Sequence, residues 1–240
     1  MQPTQLPRRR LTRRRLLQLS GISSAGLLLG GCGTPLFSQQ VGDTFEPLNQ
    51  RVGELLLRPQ SPVPEFALSA VEPDKLLINS FRTTPQLDLD SFRLSIAGEV
   101  NQPMALSLAD IQSLPLTSMV IRHVCVEGWA AIVQWGGVRL RELAMLAQPK
   151  AEARYVYFES ADGYYESWDL ASAMHPQTLM VYQHNGNPLS AENGAPLRLA
   201  SPIKLGYKQS KWVTQIVFTS ALAQRQGYWE DKGYDWFAGL

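Results

Sequence analysis

The sequence predicts an α+β protein, a single domain of β-rich mixed sheets with short helices. Three observations lead there. Runs of strand length, alternating or wholly apolar, recur from Leu76 onward between Gly, Pro and Asp turn signals. Helical periodicity is confined to a few short segments, none long enough for a bundle. No internal repeat or low-complexity tract interrupts the pattern, which argues against a solenoid.

The elements follow in order. Residues 1–31 read as a signal peptide of twin-arginine and lipoprotein type. Thr12-Arg13-Arg14-Arg15-Leu16-Leu17 carries the paired arginines, and the apolar stretch 16–29 is diluted by Ser20, Gly21, Ser23, Ser24 and Gly26. So short a stretch suits a signal h-region better than a stable span; an N-terminal membrane anchor is the alternative. Leu29-Gly30-Gly31-Cys32 looks like a lipobox and places a lipid anchor at Cys32. Ordinary cleavage nearby, leaving a soluble protein, competes with that reading. Either cleavage expects export by the twin-arginine route to the periplasm or another extracytoplasmic space, with membrane attachment by lipid if Cys32 is modified.

Residues 32–75 form a tether and N-terminal arm, because Pro35, Pro47, Pro59, Pro62 and Pro64 break any long element. The domain proper is expected over 76–240. Alternation predicts a strand over 88–98, ending at a glycine turn. Ser107, with Asp110 three residues on, caps a short helix through Leu114. Residues 119–126 read as a buried strand, and Ala131-Ile132-Val133 is strand-like. Residues 138–147 read as a helix with Leu140, Leu143, Ala144 and Ala147 on one face. Strands are expected over 154–160, 179–182 and 197–200, a short turn or helix over 168–173, and a closing strand over 211–219.

Charge excludes one class of partner. The whole chain carries +1, but residues 1–31 hold six arginines and no acid, so 16 basic face 21 acidic residues beyond them, a balance of −5. A mildly acidic domain argues against nucleic acid. Several chemistries lack their motifs: no Gly-x-Gly-x-x-Gly, no Walker lysine and no Cys-x-x-Cys, and His123, His175 and His184 are not at zinc-protease spacing.

Cys125 is then the most informative residue. If Cys32 carries lipid, Cys125 has no disulfide partner. A lone thiol amid apolar residues is either an inert small hydrophobe or a single soft metal ligand. A cysteine hydrolase would need a base beside the thiol, which the sequence does not supply.

Three separated blocks carry a family resemblance. Cys125-Val126-Glu127-Gly128-Trp129 with Trp135-Gly136-Gly137-Val138 resembles the metal-ligand segment of the sulfite-oxidase-like molybdopterin oxidoreductases. Asn193-Gly194-Ala195-Pro196-Leu197-Arg198-Leu199, with Lys204, Gly206-Tyr207-Lys208 and Lys211-Trp212-Val213, is similar to that family's pterin-phosphate segment. Gly227-Tyr228-Trp229-Glu230-Asp231-Lys232-Gly233-Tyr234 also fits. Within the family the likeness is to the protein-methionine-sulfoxide reductase catalytic subunits. It implies a sulfite-oxidase molybdopterin-binding fold, a single catalytic domain, and molybdenum of molybdopterin held by Cys125, the catalytic residue.

The resemblance implies further cofactor contacts. Asn79, Arg82 and Thr83 fall on the first pterin-contacting loop, although Arg82 and Thr83 depart from the Tyr–Glu pair of the sulfoxide reductases. Ser160 stands where a threonine contacts the pterin. Asn193 and Arg198 match, and Gln209, Ser210 and Lys211 fall on a phosphate-binding turn. Arg198, Lys204, Lys208 and Lys211 would furnish a positive cradle; a solvated edge is the plainer alternative. Ordinary turn or capping duty is the plainer reading of Asn79, Ser160 and Asn193. His123 shares a strand face with Cys125, and Tyr164 or Tyr165 is expected near the substrate channel or in the core.

The implied activity is oxygen-atom transfer on a small-molecule or protein-bound sulfur substrate. A sulfoxide would be reduced, with electrons from a separate partner such as a membrane cytochrome, since no haem or flavin motif is visible. Sulfite oxidation is the enzymatic alternative, with Arg122 as the cation for the anion. A metal-free lipoprotein binding domain is the alternative of another class.

Overall fold

The computed structural model describes residues 62–240 together with Val52. The twin-arginine stretch, the apolar segment 16–29, Cys32 and the first part of the arm lie outside the described residues. Among those described, no helix is long and apolar enough to cross a membrane.

Two sheets carry the fold. The first holds β1 (Leu94–Gly98), β2 (Met104–Leu106), β5 (Tyr155–Ser160), β6 (Tyr165–Asp169) and β10 (Val213–Thr219), in the order β2-β1-β10-β5-β6. It is mixed: β1 and β10 run parallel, the other pairs antiparallel. The second holds β3 (Thr117–Val124), β4 (Ala130–Arg139), β7 (Leu179–His184) and β8 (Asn187–Pro188) in that order, and β9 (Arg198–Ala200) also pairs with β7. All its pairs are antiparallel. Among the described residues three short helices, α1 (Leu108–Gln112), α2 (Leu140–Ala147) and α3 (Leu170–Ala173), complete the α+β architecture.

Alternation places the core. Leu94 and Ile96 of β1, Val156 and Phe158 of β5, and Ile216 and Phe218 of β10 are buried with the apolar face of α2. That face is Leu140, Leu143, Ala144 and Ala147, the four positions the helical period selects. Each leucine buried there contributes roughly 1.5–3 kcal/mol. A second cluster joins Met119 and Ile121 of β3 to Val133 and Trp135 of β4 and Val181 of β7.

Several boundaries differ from the sequence reading, each for a physical reason. Residues 88–93 do not extend the first strand. The Asp88 carboxylate accepts from Asp90 N at 3.1 Å and Phe92 N donates to Asp88 O at 3.0 Å, so a local turn displaces the alternation. Val138 and Arg139 belong to β4, because they pair with Met180 and Leu179 of β7; the helix starts only at Leu140. Residues 165–169 form β6, paired with β5, ahead of the short helix α3. The Ser107 capping box is present as expected: Ser107 Oγ accepts from Asp110 N and Asp110 Oδ2 from Ser107 N.

The described part of the arm lies along the body. Gln177 pairs with the Val63 backbone, accepting from its N at 2.7 Å and donating to its O at 2.8 Å. Phe66 N donates to Val120 O, and Glu72 N to Ile132 O. These contacts lead the chain along the second sheet towards residues 77–81.

Candidate functional site

The β3–β4 hairpin positions Cys125. Strand pairing runs to Val124↔Ala130 and stops. The connection closes with Gly128 N donating to Cys125 O at 3.1 Å and Cys125 N to Trp129 O at 2.9 Å. Gly128 sits at φ 89°, a conformation that favours glycine. Cys125 is thus at the tip of a hydrogen-bonded hairpin, half-buried, and lines a cavity of about 470 Å3.

One carboxylate oxygen organises this tip. Glu127 Oε2 accepts from Trp129 Nε1 at 2.9 Å, from Asn79 Nδ2 at 3.0 Å and from the Cys125 thiol at 3.6 Å. The hydrogen bond from Trp129, then that from Asn79, holds the Glu127 carboxyl below its ordinary range. Burial pushes the Cys125 thiol up, with the Glu127 charge acting in the same direction. A positive ion at the sulfur would reverse that shift.

The opposite wall is cationic. Arg198 of β9 is buried and forms no ion pair among the described residues. Its Nη1 donates to Asn193 O at 3.1 Å, and its guanidinium lies 4.5 Å from the centroid of the Trp135 ring. Burial lowers its pKa to about 9. Lys211, beside it, donates through Nζ to Asn79 O and to Glu192 O; burial first, then the Arg198 charge, lowers its pKa to about 8. Gly194 lets Lys211 and Arg198 approach: it sits at φ 108°, and a Cβ there would meet Lys211 Cβ at 2.9 Å.

Two buried polar atoms of residues lining the cavity have no partner among the described residues. Ser210 Oγ and His123 Nδ1 are buried without one. His123 is held neutral down to about pH 3 by burial and then by Arg198. An unpaired buried guanidinium beside partnerless donors and acceptors is costly in isolation. It becomes favourable against an anion with several oxygen acceptors, such as a phosphate. A phosphate-bearing cofactor whose metal takes one thiolate therefore fits the residues present. Among the described residues no group of three or more His, Cys, Asp or Glu is placed to hold a metal, so Cys125 stands as a single soft donor.

Of the ten residues singled out in the sequence, Asn79, Cys125, Asn193, Arg198, Gln209, Ser210 and Lys211 line this one cavity. Arg82, Thr83 and Ser160 stand outside its lining. Arg82 lies over the Phe81 ring at 5.0 Å. Ser160 is buried with a partnerless hydroxyl at the end of β5. Gln209 uses its side chain on the 201–204 loop, donating to Ser201 O and Lys204 O. Asn193 Nδ2 donates to Ser190 Oγ, the turn duty also open to it.

Two expected cradle cations do not belong to the cavity. Lys204 Nζ donates to Phe237 O at 2.6 Å and faces Asp169 at 3.4 Å. Lys208 Nζ is buried between Glu166 and Glu230, at 2.5 Å from each. Neighbouring acids on β6 and the C-terminal segment drew both lysines inward. Arg122 points away as well: it is exposed and lies over Phe66 at 5.2 Å.

An aromatic wall completes the cavity. Phe81, Tyr164, Tyr207, Tyr228, Trp229 and Tyr234 line one side. Successive ring centroids lie 5.8 Å (Tyr164–Phe81), 4.3 Å (Phe81–Tyr228), 5.2 Å (Tyr228–Trp229) and 5.1 Å (Trp229–Tyr234) apart. Tyr164 is the tyrosine at the channel, its hydroxyl donating to Tyr207 O at 2.7 Å, whereas Tyr165 is buried in β6. The wall as a whole escaped sequence reasoning. Its signal was the density of rings at the C-terminal end: Tyr228, Trp229, Tyr234, Trp236 and Phe237.

The chain is similar to known proteins in sequence and fold. Residues 81–229 match the model of the family described as oxidoreductase molybdopterin binding domain. The chain is 42% identical over 154 residues to a protein of Azospira oryzae provisionally named protein-methionine-sulfoxide reductase subunit YedZ1, covering 64% of this chain and 58% of that protein. It is 34% identical over 157 residues to the protein-methionine-sulfoxide reductase catalytic subunit MsrP of Campylobacter jejuni, covering 58% and 52%. The chain thus spans little more than half the length of these relatives. The crystal structure of the sulfane dehydrogenase SoxCD from Paracoccus pantotrophus shares the fold, with a TM-score of 0.55 at 23% identity over 57% of this chain and 40% of that one.

Proposed function

The chain belongs to the oxidoreductase molybdopterin binding domain family and carries a molybdopterin-binding oxidoreductase domain; on that premise we propose that it reduces a sulfoxide-type substrate at a molybdenum held by Cys125, using electrons from a separate redox partner. The observation that carries the proposal is the opening of Cys125 and the unpaired, buried Arg198 onto one cavity. Arg198, Ser210 and Lys211 would hold the phosphate end of the cofactor, and Cys125 its metal. Bound there, the cofactor supplies a two-electron centre that exchanges an oxygen atom with substrate.

The chain's own residues do the rest. Glu127 ties Asn79 and Trp129 to the hairpin tip beside Cys125, and accepts from the Cys125 thiol while it is protonated and metal-free. The aromatic wall receives the substrate. Reduction of a sulfoxide takes two electrons and two protons and yields a thioether and water. Asp162, which lines the cavity and is held above its ordinary range by burial, is placed to hand on a proton.

The lining supports a sulfoxide-type substrate. Thioether and sulfoxide methyl groups pack well against rings, whereas a sulfite anion would want a free cation at the mouth. Arg122, Lys204 and Lys208 are directed elsewhere. The names of both relatives point the same way. We also place export by the twin-arginine route and a lipid at Cys32 within this proposal, on the residue patterns of 1–32.

The test is a pair of assays on purified holoprotein. With a reduced artificial dye as donor, a methyl sulfoxide should be turned over; with an oxidised acceptor, sulfite should not. Turnover of sulfite alone would replace the proposal with sulfite oxidation.

A further inference from the structure

Lys208 lies directly beneath the cavity and reaches away from it. The 3-10 turn Gly206–Lys208 gives Gly206 and Tyr207 to the cavity lining. Gly206 is pressed against the Cys125-bearing hairpin: a Cβ there would meet His123 Nε2 at 2.9 Å and Val124 O at 3.2 Å. The Lys208 side chain leaves on the opposite side. Its Nζ meets Glu166 of β6 and Glu230 of the 3-10 turn Glu230–Lys232 at 2.5 Å each, and Ser167 O at 3.1 Å. All three charged side chains are buried, and Glu166 Oε2 and Glu230 Oε2 have no partner.

Two carboxylates around one ammonium group, out of water, do not balance in charge. Burial holds the Glu166 carboxyl well above its ordinary range, and the Glu230 charge adds to that. A cluster of this kind is a poor device for stability alone, because apolar residues of similar volume would avoid the desolvation cost. What it supplies is direction: one nitrogen fixes two carboxylates in a single arrangement.

The segment so fixed is the one that builds the aromatic wall. Around Glu230, Tyr228 N donates to Tyr165 O at 3.1 Å, Trp236 Nε1 to Ser167 Oγ at 2.8 Å, and Tyr207 OH to Asp235 O at 2.6 Å. Segment 226–237 therefore lies over β6 and reaches the cavity with Tyr228, Trp229 and Tyr234. Trp229 and Tyr234 are 36% and 38% exposed, so solvent-side packing does little to hold them.

We propose that Lys208 is a positioning residue: through Glu166 and Glu230 it fastens the C-terminal segment to the cavity floor and so sets the spacing of the aromatic wall that receives the substrate. The effect on substrate rests on the functional reading above; the fastening itself does not. Because the ring faces touch substrate and not the metal, loosening them should weaken substrate binding more than the chemical step.

The experiment compares wild-type holoprotein with Lys208→Met and Glu230→Gln, measuring molybdenum content, sulfoxide KM and kcat, and amide hydrogen exchange. Lys208→Met is expected to raise KM about tenfold or more while kcat stays within about threefold. Exchange should rise across 226–237 and stay unchanged in β3 and β4. Glu230→Gln keeps an acceptor for Lys208 and should stay near wild type. Should Lys208→Met fail to fold, Trp229→Ala at the rim is expected to give the same KM-selective loss. Unchanged KM in folded Lys208→Met, or in Trp229→Ala, overturns the proposal, and so does a joint fall in kcat and molybdenum content. Absence of sulfoxide turnover in wild type would instead refute the functional reading. The fastening would then stand or fall on exchange in 226–237 alone.

Discussion

Arg198 carries its charge inside the protein, where among the described residues backbone carbonyls and the face of Trp135 meet it. An unpaired buried cation penalises the folded state until an anion arrives. Arg198→Met should therefore act with opposite signs on two quantities. Cofactor retention, read as pterin and molybdenum per chain, should fall about tenfold or more, on the scale of a lost charge-assisted hydrogen bond. The melting temperature of cofactor-free protein should hold or rise. A fall in both would mean that Arg198 serves packing and not the anion. At this scale the sequence was legible where residue type dictates chemistry. Cys125 stood out as a lone thiol and Arg198 through the family resemblance of its Asn-Gly-x-Pro-x-Arg run, and both line the cavity. Unlike Lys211, Lys204 and Lys208 were not legible, since sequence gives a charge but not its direction. Lys204 and Lys208 turned to acids far away in the chain, at Asp169, Glu166 and Glu230.

Elements were legible where periodicity and capping agree, as in α2 and the Ser107 capping box. Leu143→Ala, which empties a fully buried position on that helix, should cost about 2–5 kcal/mol in chemical denaturation. They were less legible where a distant partner decides. β6 exists because β5 pairs with it, and the end of β4 is strand because β7 does. The link between β6 and the C-terminal segment also gives a pH dependence. Glu166 faces Lys208 and Glu230, with Tyr164 and Tyr207 close enough to feel its charge. Its folded pKa is raised, so above the ordinary carboxylate value the unfolded chain gives up a proton that the folded protein keeps. Stability is therefore lost as pH rises from that value towards the folded pKa. Glu166→Gln should flatten that loss in urea titrations taken across pH. An unchanged slope would show that the proton is not held there.

Distant segments meet at one cavity: the loop at 77–81, the hairpin tip at Cys125, the stretch from Asn193 to Trp212 with Arg198 and Lys211, and the C-terminal aromatic segment. Such convergence is what a single sequence shows least, because it depends on how two sheets meet. The three family-like blocks were visible; that the last of them lines the cavity with its rings was not. Replacing Arg13 and Arg14 by lysine should leave the protein in the cytoplasm in a fractionation assay, and export undiminished would contradict the twin-arginine assignment. The central claim is narrower, that Cys125 holds the metal of the cofactor this cavity binds. Elemental analysis of folded protein from a host competent to make molybdopterin, beside its Cys125→Ala variant, tests it most directly. About one molybdenum per chain is expected, lost in the variant while the fold persists. Molybdenum retained by Cys125→Ala, or absent from wild type, would contradict it.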